Sequence, residues 1–225
     1  HIVNELNKKN KKIIISCYTH TAIKEIVKKI EEVNPELKIY RIGSSREDMK
    51  KFKNHINLES EISNNYSLNT LDKKVEKVNS IINKSPIYIG TTHAWISGNY
   101  DNLFKDNLYD ISIIDEASQA LITNILGVIR LSKTFILVGD HKQLSPVIQT
   151  NNAEILNHTL FERLFEIYLP NSKNKITLET QYRMCKTIGT FISKTFYGNK
   201  LITDEKCSDN SLDLNEKQIK PEYLD

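Results

Sequence analysis

Short apolar runs alternate with helical patterns along this chain. "KKIIISCYTH" places a buried strand at Ile13–Cys17, and "TAIKEIVKKIEEV" then spaces Ile23, Ile26, Val27, Ile30 and Val33 at helical intervals. "LKIYRIG" predicts a second strand closed by Gly43. From 44 to 84 the chain turns polar and reads as helical, with a short helix through Met49, Phe52 and Ile56 and a stripe of Leu71, Val75, Val78 and Ile82. "SPIYIGTT", "LYDISIIDEAS" and "KTFILVGD" predict the third, fourth and fifth strands, with "QALITNILGVIRL" a helix between the last two. "LFERLFEIYL" is helical, "KITLET" a sixth strand, and "CKTIGTFISKTFYG" a helix stopped by Gly198. Continuous apolar strands alternating with helices imply a parallel sheet covered on both faces. The fold class is α/β.

Composition narrows the picture without choosing a function. A length of 225 residues allows one large domain, or one domain and part of another. Thirty-one basic against 28 acidic side chains leave a net charge of +3, so nucleic-acid affinity would have to come from local arrangement. Cys17, Cys185 and Cys207 lie far apart with no C-x-x-C and no nearby histidine pair, which excludes a zinc or disulfide framework and suits a reducing cytoplasm, nucleoid-associated or free. No apolar stretch approaches the ~18 residues that span a bilayer, and no membrane partner is expected. "HIVNELNKKNKK" has no signal-peptide core.

Chemistry concentrates at two strand ends. Asp115 and Glu116 terminate the fourth strand, and Gly139–Asp140 the fifth. In an open parallel sheet, ligands collect outside the carboxyl ends of the strands. Either acid could instead cap the helix that follows it. The continuation "GDHKQLSP" after the fifth strand and "QYRM" after the sixth favour a functional reading of the set.

"IIDEASQ", "LVGDHKQLSP" and "LETQYRM" resemble motifs II, III and IV of superfamily 1 helicases, in the 5′-to-3′ branch that includes the nonsense-mediated-decay RNA helicase and the eukaryotic replication helicase/nuclease. "SCYTHTAIKEIV" resembles motif Ia of that group and "IYIGTTHA" its motif Ic, and the five fall in family order from residue 13 to about 200. "YTHTA" and "RIG" lean towards the helicase/nuclease subgroup. An ABC-type ATPase would carry LSGGQ and a DEAD-box protein Ser-Ala-Thr, and neither is present.

The resemblance implies a RecA-like fold and an ATP-dependent motor acting on single-stranded nucleic acid, DNA rather than RNA. Asp115 would hold Mg²⁺ through its waters, since Mg²⁺ dehydrates reluctantly, and Glu116 would orient or deprotonate the attacking water. Gln143 would sense the γ-phosphate, with Gln119 and Asp140 in the same nucleotide network. Tyr182 would pack on the base, or else fill a domain junction. Arg183 would act as an arginine finger, or else pair with Glu179 or another acid. Thr19, His20, Thr91, Thr92 and His93, at strand ends, would contact the nucleic acid, with His93 or Trp95 stacking on bases, or else Thr19 and Thr91 would cap the helices that follow them. Ser145 departs from the usual Pro-Pro after Gln-Leu, leaving only Pro146.

A P-loop requires G-x-x-x-x-G-K-[ST], whose backbone N–H groups cradle phosphates. None of the seven glycines has another five residues on. Motifs V and VI are absent too. The expectation is an internal piece of a helicase, with residues 1–180 forming most of a first RecA-like domain (44–84 a helical insertion) and 181–225 the beginning of a second. The remainder of the helicase chain would supply the P-loop and motifs V and VI. The alternatives are a nucleic-acid-binding remnant without hydrolysis and a docking module.

Overall fold

The computed structural model describes residues 1–43, 51–63, 76, 80–81, 86–98, 104, 108–146, 158–168 and 172–207. They fall into two compact units, His1–Ile167 and Tyr168–Asp225.

In the first unit, six parallel strands lie in the order β3-β2-β4-β1-β5-β6. They are β1 (Ile13–Cys17), β2 (Ile39–Arg41), β3 (His55–Asn57), β4 (Ile87–Thr91), β5 (Tyr109–Ile114) and β6 (Ser132–Leu137). The described helices of this unit include α1 (Ile2–Lys8), α2 (His20–Val33), α3 (Leu58–Ser63), α4 (Thr92–Ile96), α5 (Ile122–Ile129) and α6 (Leu160–Ile167). In the second unit, β7 (Thr180–Gln181) pairs in parallel with β8 (Ile202–Thr203), and α7 (Lys186–Phe196) connects them.

Every residue of β1 is buried because the strand has covered neighbours on both faces. Side chains alternate across a sheet, so Ile14 joins one core cluster while Ile13, Ile15 and Cys17 join the other. On the second face α2 covers the sheet with Ile23 and Val27, assisted by Val3 and Leu6 of α1. On the first face lie Trp95 of α4, Ile125 and Val128 of α5, and Leu160 and Phe161 of α6. Burying an isoleucine stabilises by roughly 1.5–3 kcal/mol, so the central strands form a rigid platform.

The α/β class and the parallel sheet with helices on both faces stand. Two local expectations are corrected. The short helix expected through Met49, Phe52 and Ile56 gives way to β3, because Ile56 pairs with Tyr40 of β2 while Phe52 fills the core before the strand begins. Met49 and the stripe Leu71, Val75, Val78 and Ile82 lie outside the described residues. "KITLET" is not a sixth strand of the main sheet. Only Thr180–Gln181 is extended with a partner, and that partner is β8 in the second unit. By contact, the two units divide between Ile167 and Tyr168. No helix among the described residues is long and apolar enough to cross a membrane.

Candidate functional site

The carboxyl ends of β4, β1, β5 and β6 lie side by side, since these four strands are neighbours in that order. With strands about 4.8 Å apart, the chemistry-bearing residues at their tips share one sheet edge. Asp115 follows β5, and its N–H donates to the Ser16 carbonyl of β1 at 2.8 Å. Past the formal strand ends the chains remain laced together. Val138 N–H donates to the Ile114 carbonyl and Ala117 N–H to the Val138 carbonyl, both at 2.8 Å, and Asp140 N–H donates to Ser118 Oγ at 3.1 Å. Gly139 is required at this crossing, because a Cβ there would lie 2.9 Å from the Ser118 backbone nitrogen.

Glu116 takes a left-handed backbone, φ 54 and ψ 36, as it enters the 3-10 turn Ala117–Gln119. For a non-glycine residue that conformation costs about 1–2 kcal/mol, and such strain clusters at functional sites. The turn separates the two acids. Asp115 stays against the sheet, while Glu116 Oε2 accepts from Gln119 Nε2 at 3.2 Å. Gln119 is thereby placed beside Glu116.

The electrostatics is one-sided. Burial pushes the Asp115 carboxyl above the usual aspartate range, against the backbone N–H of Glu116, which lowers it. Glu116 is raised by burial, then by the negative charges of Asp115 and Asp140. Beneath them the buried Cys17 thiol is pushed far up by burial and then by the charges of Asp115 and Glu116, so it stays neutral. Among the described residues, no group of three or more His, Cys, Asp or Glu side chains could enclose a metal ion. The donor set fits a cation held through water by one strand-end carboxylate better than it fits a protein-enclosed metal.

Asp140 is engaged in its own loop. Its Oδ1 accepts from Lys142 N–H at 3.0 Å and its Oδ2 from Gln143 Nε2 at 3.1 Å, while Gln143 N–H donates to the Asp140 carbonyl at 3.1 Å. Asp140 therefore orients Gln143, which is exposed.

Next along the edge, Thr19 and Thr91 cap α2 and α4, their Oγ1 atoms accepting from Ala22 and Ala94 N–H at 3.1 Å. His20 Nδ1 lies 2.9 Å from Nη2 of the buried Arg41. Two expectations fail here. Thr92 is 3% exposed, and its hydroxyl bonds Ser16 Oγ and the Cys17 carbonyl, so it faces the sheet and not a ligand. Trp95 is 2% exposed and donates Nε1–H to the Ile15 carbonyl, which makes it core rather than a stacking platform. His93 is exposed. Tyr18, 51% exposed at the end of β1, was passed over in the sequence, although an aromatic directly after a buried strand was the available signal.

In the second unit the Gln181 amide builds the "QYRM" turn. Its Oε1 accepts from the N–H groups of Arg183 and Met184, and its Nε2 donates to the Met184 carbonyl and Thr203 Oγ1. Tyr182, 66% exposed, and Arg183, also exposed, project from that turn. Among the described residues no acid, Glu179 included, pairs with the Arg183 guanidinium. β7, which precedes this turn, belongs to the separate two-stranded sheet of the second unit.

The strand-end acids and the ordered motifs define a class, and comparison with known proteins agrees. Two family models, each described as an AAA domain, match residues 53–151 and 156–224. More narrowly, the chain belongs with the superfamily 1 helicases of the group that includes the replication helicase/nucleases. It is 33% identical over 215 residues to the DNA replication ATP-dependent helicase/nuclease DNA2 of Saccharomyces cerevisiae, covering 94% of this chain and 13% of that protein. An uncharacterized ATP-dependent helicase of Methanocaldococcus jannaschii is 38% identical over 160 residues, covering 70% of this chain and 22% of the relative. The human DNA2 helicase/nuclease is 29% identical over 190 residues, 84% of this chain and 16% of its own length. The chain thus spans between 13% and 22% of these relatives.

The raised Asp115 carboxyl has a consequence for stability. A carboxyl whose folded pKa lies above its unfolded value supports the fold below the unfolded pKa and loses that contribution as pH rises through the folded value. At neutral pH Asp115 is therefore charged at a cost to the fold. Asp115→Asn should melt higher than the parent at pH 7, and the difference should shrink as pH falls towards the ordinary aspartate range. Each kcal/mol appears as roughly 2–4 °C in a chain of this size. Thermal melts of both proteins across pH check this, and an Asn variant that melts lower at pH 7 would contradict it.

Proposed function

We propose that the protein is part of the motor core of an ATP-dependent helicase or translocase that moves 5′-to-3′ on single-stranded nucleic acid, DNA in preference to RNA. The observation that carries the reading is the division of one sheet edge. Asp115, Glu116 and the Asp140–Gln143 loop occupy the ends of β5 and β6, while exposed Tyr18, Thr19 and His93 occupy the ends of β1 and β4. The preference for DNA draws on the replication helicase/nucleases among the relatives.

Within this reading Asp115, half-buried and short of hydrogen-bond donors, holds the waters of Mg²⁺. When bound, the cation neutralises charge on the transferred phosphoryl group. Glu116, turned away from Asp115 by its left-handed backbone, orients the attacking water and accepts its proton. The charge on Asp115 and Asp140 raises its affinity for that proton. Gln119 fixes one Glu116 oxygen, leaving the other for water. Gln143, steadied by Asp140, reports the γ-phosphate. No Gly-x-x-x-x-Gly-Lys cradle occurs in the sequence, so the phosphate cradle and motifs V and VI are assigned to other parts of the complete protein.

Glu116→Gln in the complete protein keeps shape and removes the base, whose contribution is typically 10²–10⁴-fold. ATP turnover should fall by about that factor while nucleotide affinity is retained. Turnover within a few-fold of the parent would sink the role. On the nucleic-acid side, Tyr18 and His93 supply stacking, and Thr19 and Thr91, engaged as helix caps, set the backbone beside it. Stacking contributes about 1–3 kcal/mol per base. Tyr18→Ala with His93→Ala should weaken single-strand affinity at every salt concentration without changing the slope of log K against log salt, which counts phosphate contacts. Equal affinity in a fluorescence-anisotropy titration would rule the pair out.

Tyr182 and Arg183 are proposed as the base-packing residue and the arginine finger of the complete motor. The outward position of both on a turn tied by Gln181, with no acid beside the guanidinium among the described residues, supports this. A finger contributes ~10³–10⁵ in rate through a planar fork that lysine lacks. Arg183→Lys should lose most of the nucleic-acid-stimulated turnover with an unchanged melting temperature. Near-normal steady-state turnover would refute the assignment.

A further inference from the structure

We propose that α6 is a brace that positions Gln143, and that Phe165 and Ser145 are its positioning residues. The inference rests on the motor reading above and adds a part to it.

The loop after β6 is tied to α6 at two points on either side of Gln143. Before it, the His141 ring stacks on Phe165 with centroids 4.0 Å apart and planes inclined by 30°. After it, Ser145 Oγ donates to Glu162 Oε1 at 3.2 Å. Glu162 is itself fixed at the first turn of α6. Its Oε2 accepts from Thr159 N–H at 2.8 Å, and its own N–H donates to Thr159 Oγ1 at 3.1 Å. This reciprocal capping box leaves one carboxylate oxygen for the loop.

The same helix also reaches the other acid-bearing turn. α6 lies against the 3-10 turn Ala117–Gln119, and Phe161 packs on the core that contains Ala117 and Ala120. Phe161 and Phe165 stack one helical turn apart, with centroids 6.3 Å apart. A continuous apolar path therefore runs from beneath Glu116, through Phe161 and Phe165, to His141.

Gln143 is exposed, and among the described residues its side chain is held by Asp140 of its own loop. At its start the loop is anchored where Asp140 N–H meets Ser118 Oγ, and α6 holds it on either side of Gln143. A sensor must sit where the γ-phosphate arrives, and a misplacement of about 1 Å can cost ~10²-fold in rate. The brace supplies the second anchor.

The test uses the complete protein with Ser145→Ala, Phe165→Ala, the double variant and Phe165→Tyr. Ser145→Ala keeps the capping box, and Phe165→Tyr keeps the stack. Hydrogen exchange of peptides covering 140–146 should speed by about 3–10-fold in the double variant, from loss of one ring stack and one hydrogen bond. Exchange in β5 and β1 should not change, and Phe165→Tyr should match the parent. Steady-state ATPase should show the nucleic-acid-stimulated kcat down about tenfold in the double variant, with KM for ATP within about twofold, the pattern of a lost transition-state interaction. Unchanged loop exchange overturns the brace, as does faster exchange spread equally over β5 and β1, or a stimulated kcat within about twofold of an active parent. A parent without ATP turnover overturns the motor reading instead, and loop exchange still decides the brace.

Discussion

The ends of β5 and β6 are stitched together beyond the point where either is a regular strand, and the site depends on that stitching. Ile114 and Ala117 bracket Asp115 and Glu116, and both bond the backbone of Val138. The two acids are thus confined to the only two residues of a tight excursion between fixed points. The excursion is short enough to force Glu116 into the left-handed region. Gly139 permits the close crossing with Ser118. A cost of about 1–2 kcal/mol for the strained residue is small beside the isoleucines buried under it, each contributing roughly 1.5–3 kcal/mol. The platform can therefore hold a geometry the acids would not choose.

The charges tell the same story from another side. Asp115 and Glu116 are both raised, first by burial, and Glu116 further by its acidic neighbours. Acids kept to stabilise a fold are ordinarily lowered by a cationic partner, as Asp110 is by the Lys12 N–H and Lys133 at the opposite end of the sheet. Asp110 is a structural carboxylate with two donors; Asp115 and Glu116 are carboxylates whose charge the fold does not use. Groups perturbed in that direction and gathered at one edge are characteristic of sites that act on a ligand.

Much of this was legible in the sequence, for reasons that can be stated. β1, β4 and β5 are buried on both faces, so their apolar runs are continuous and cannot be mistaken for surface. Asp115, Glu116, Asp140 and Gln143 follow strands whose ends are unambiguous. β3 was missed because three residues carry too little periodicity to outweigh the polar stretch around them. "KITLET" misled because alternation shows that a segment can be extended, not which sheet receives it. Thr92 and Trp95 were misplaced for one reason. Both lie just past β4, where the chain turns from strand into α4, and nothing in the local sequence says which side of that turn meets the sheet. The structure puts both inward, onto the Ser16 hydroxyl and the Ile15 carbonyl of β1.

Those inward contacts bear on how the two halves of the edge are joined. Ser16 serves both. Its carbonyl holds the Asp115 N–H, and its hydroxyl meets Thr92, whose hydroxyl also donates to the adjoining Cys17 carbonyl. Thr92 in turn begins α4, whose cap is Thr91 and whose exposed face carries His93. From Asp115 to the start of α4, a physical connection passes through one buried serine. The interior around it is close-packed and resists continuous deformation. Asp115 and the first residue of α4 therefore rest on the same buried, close-packed residue, Ser16.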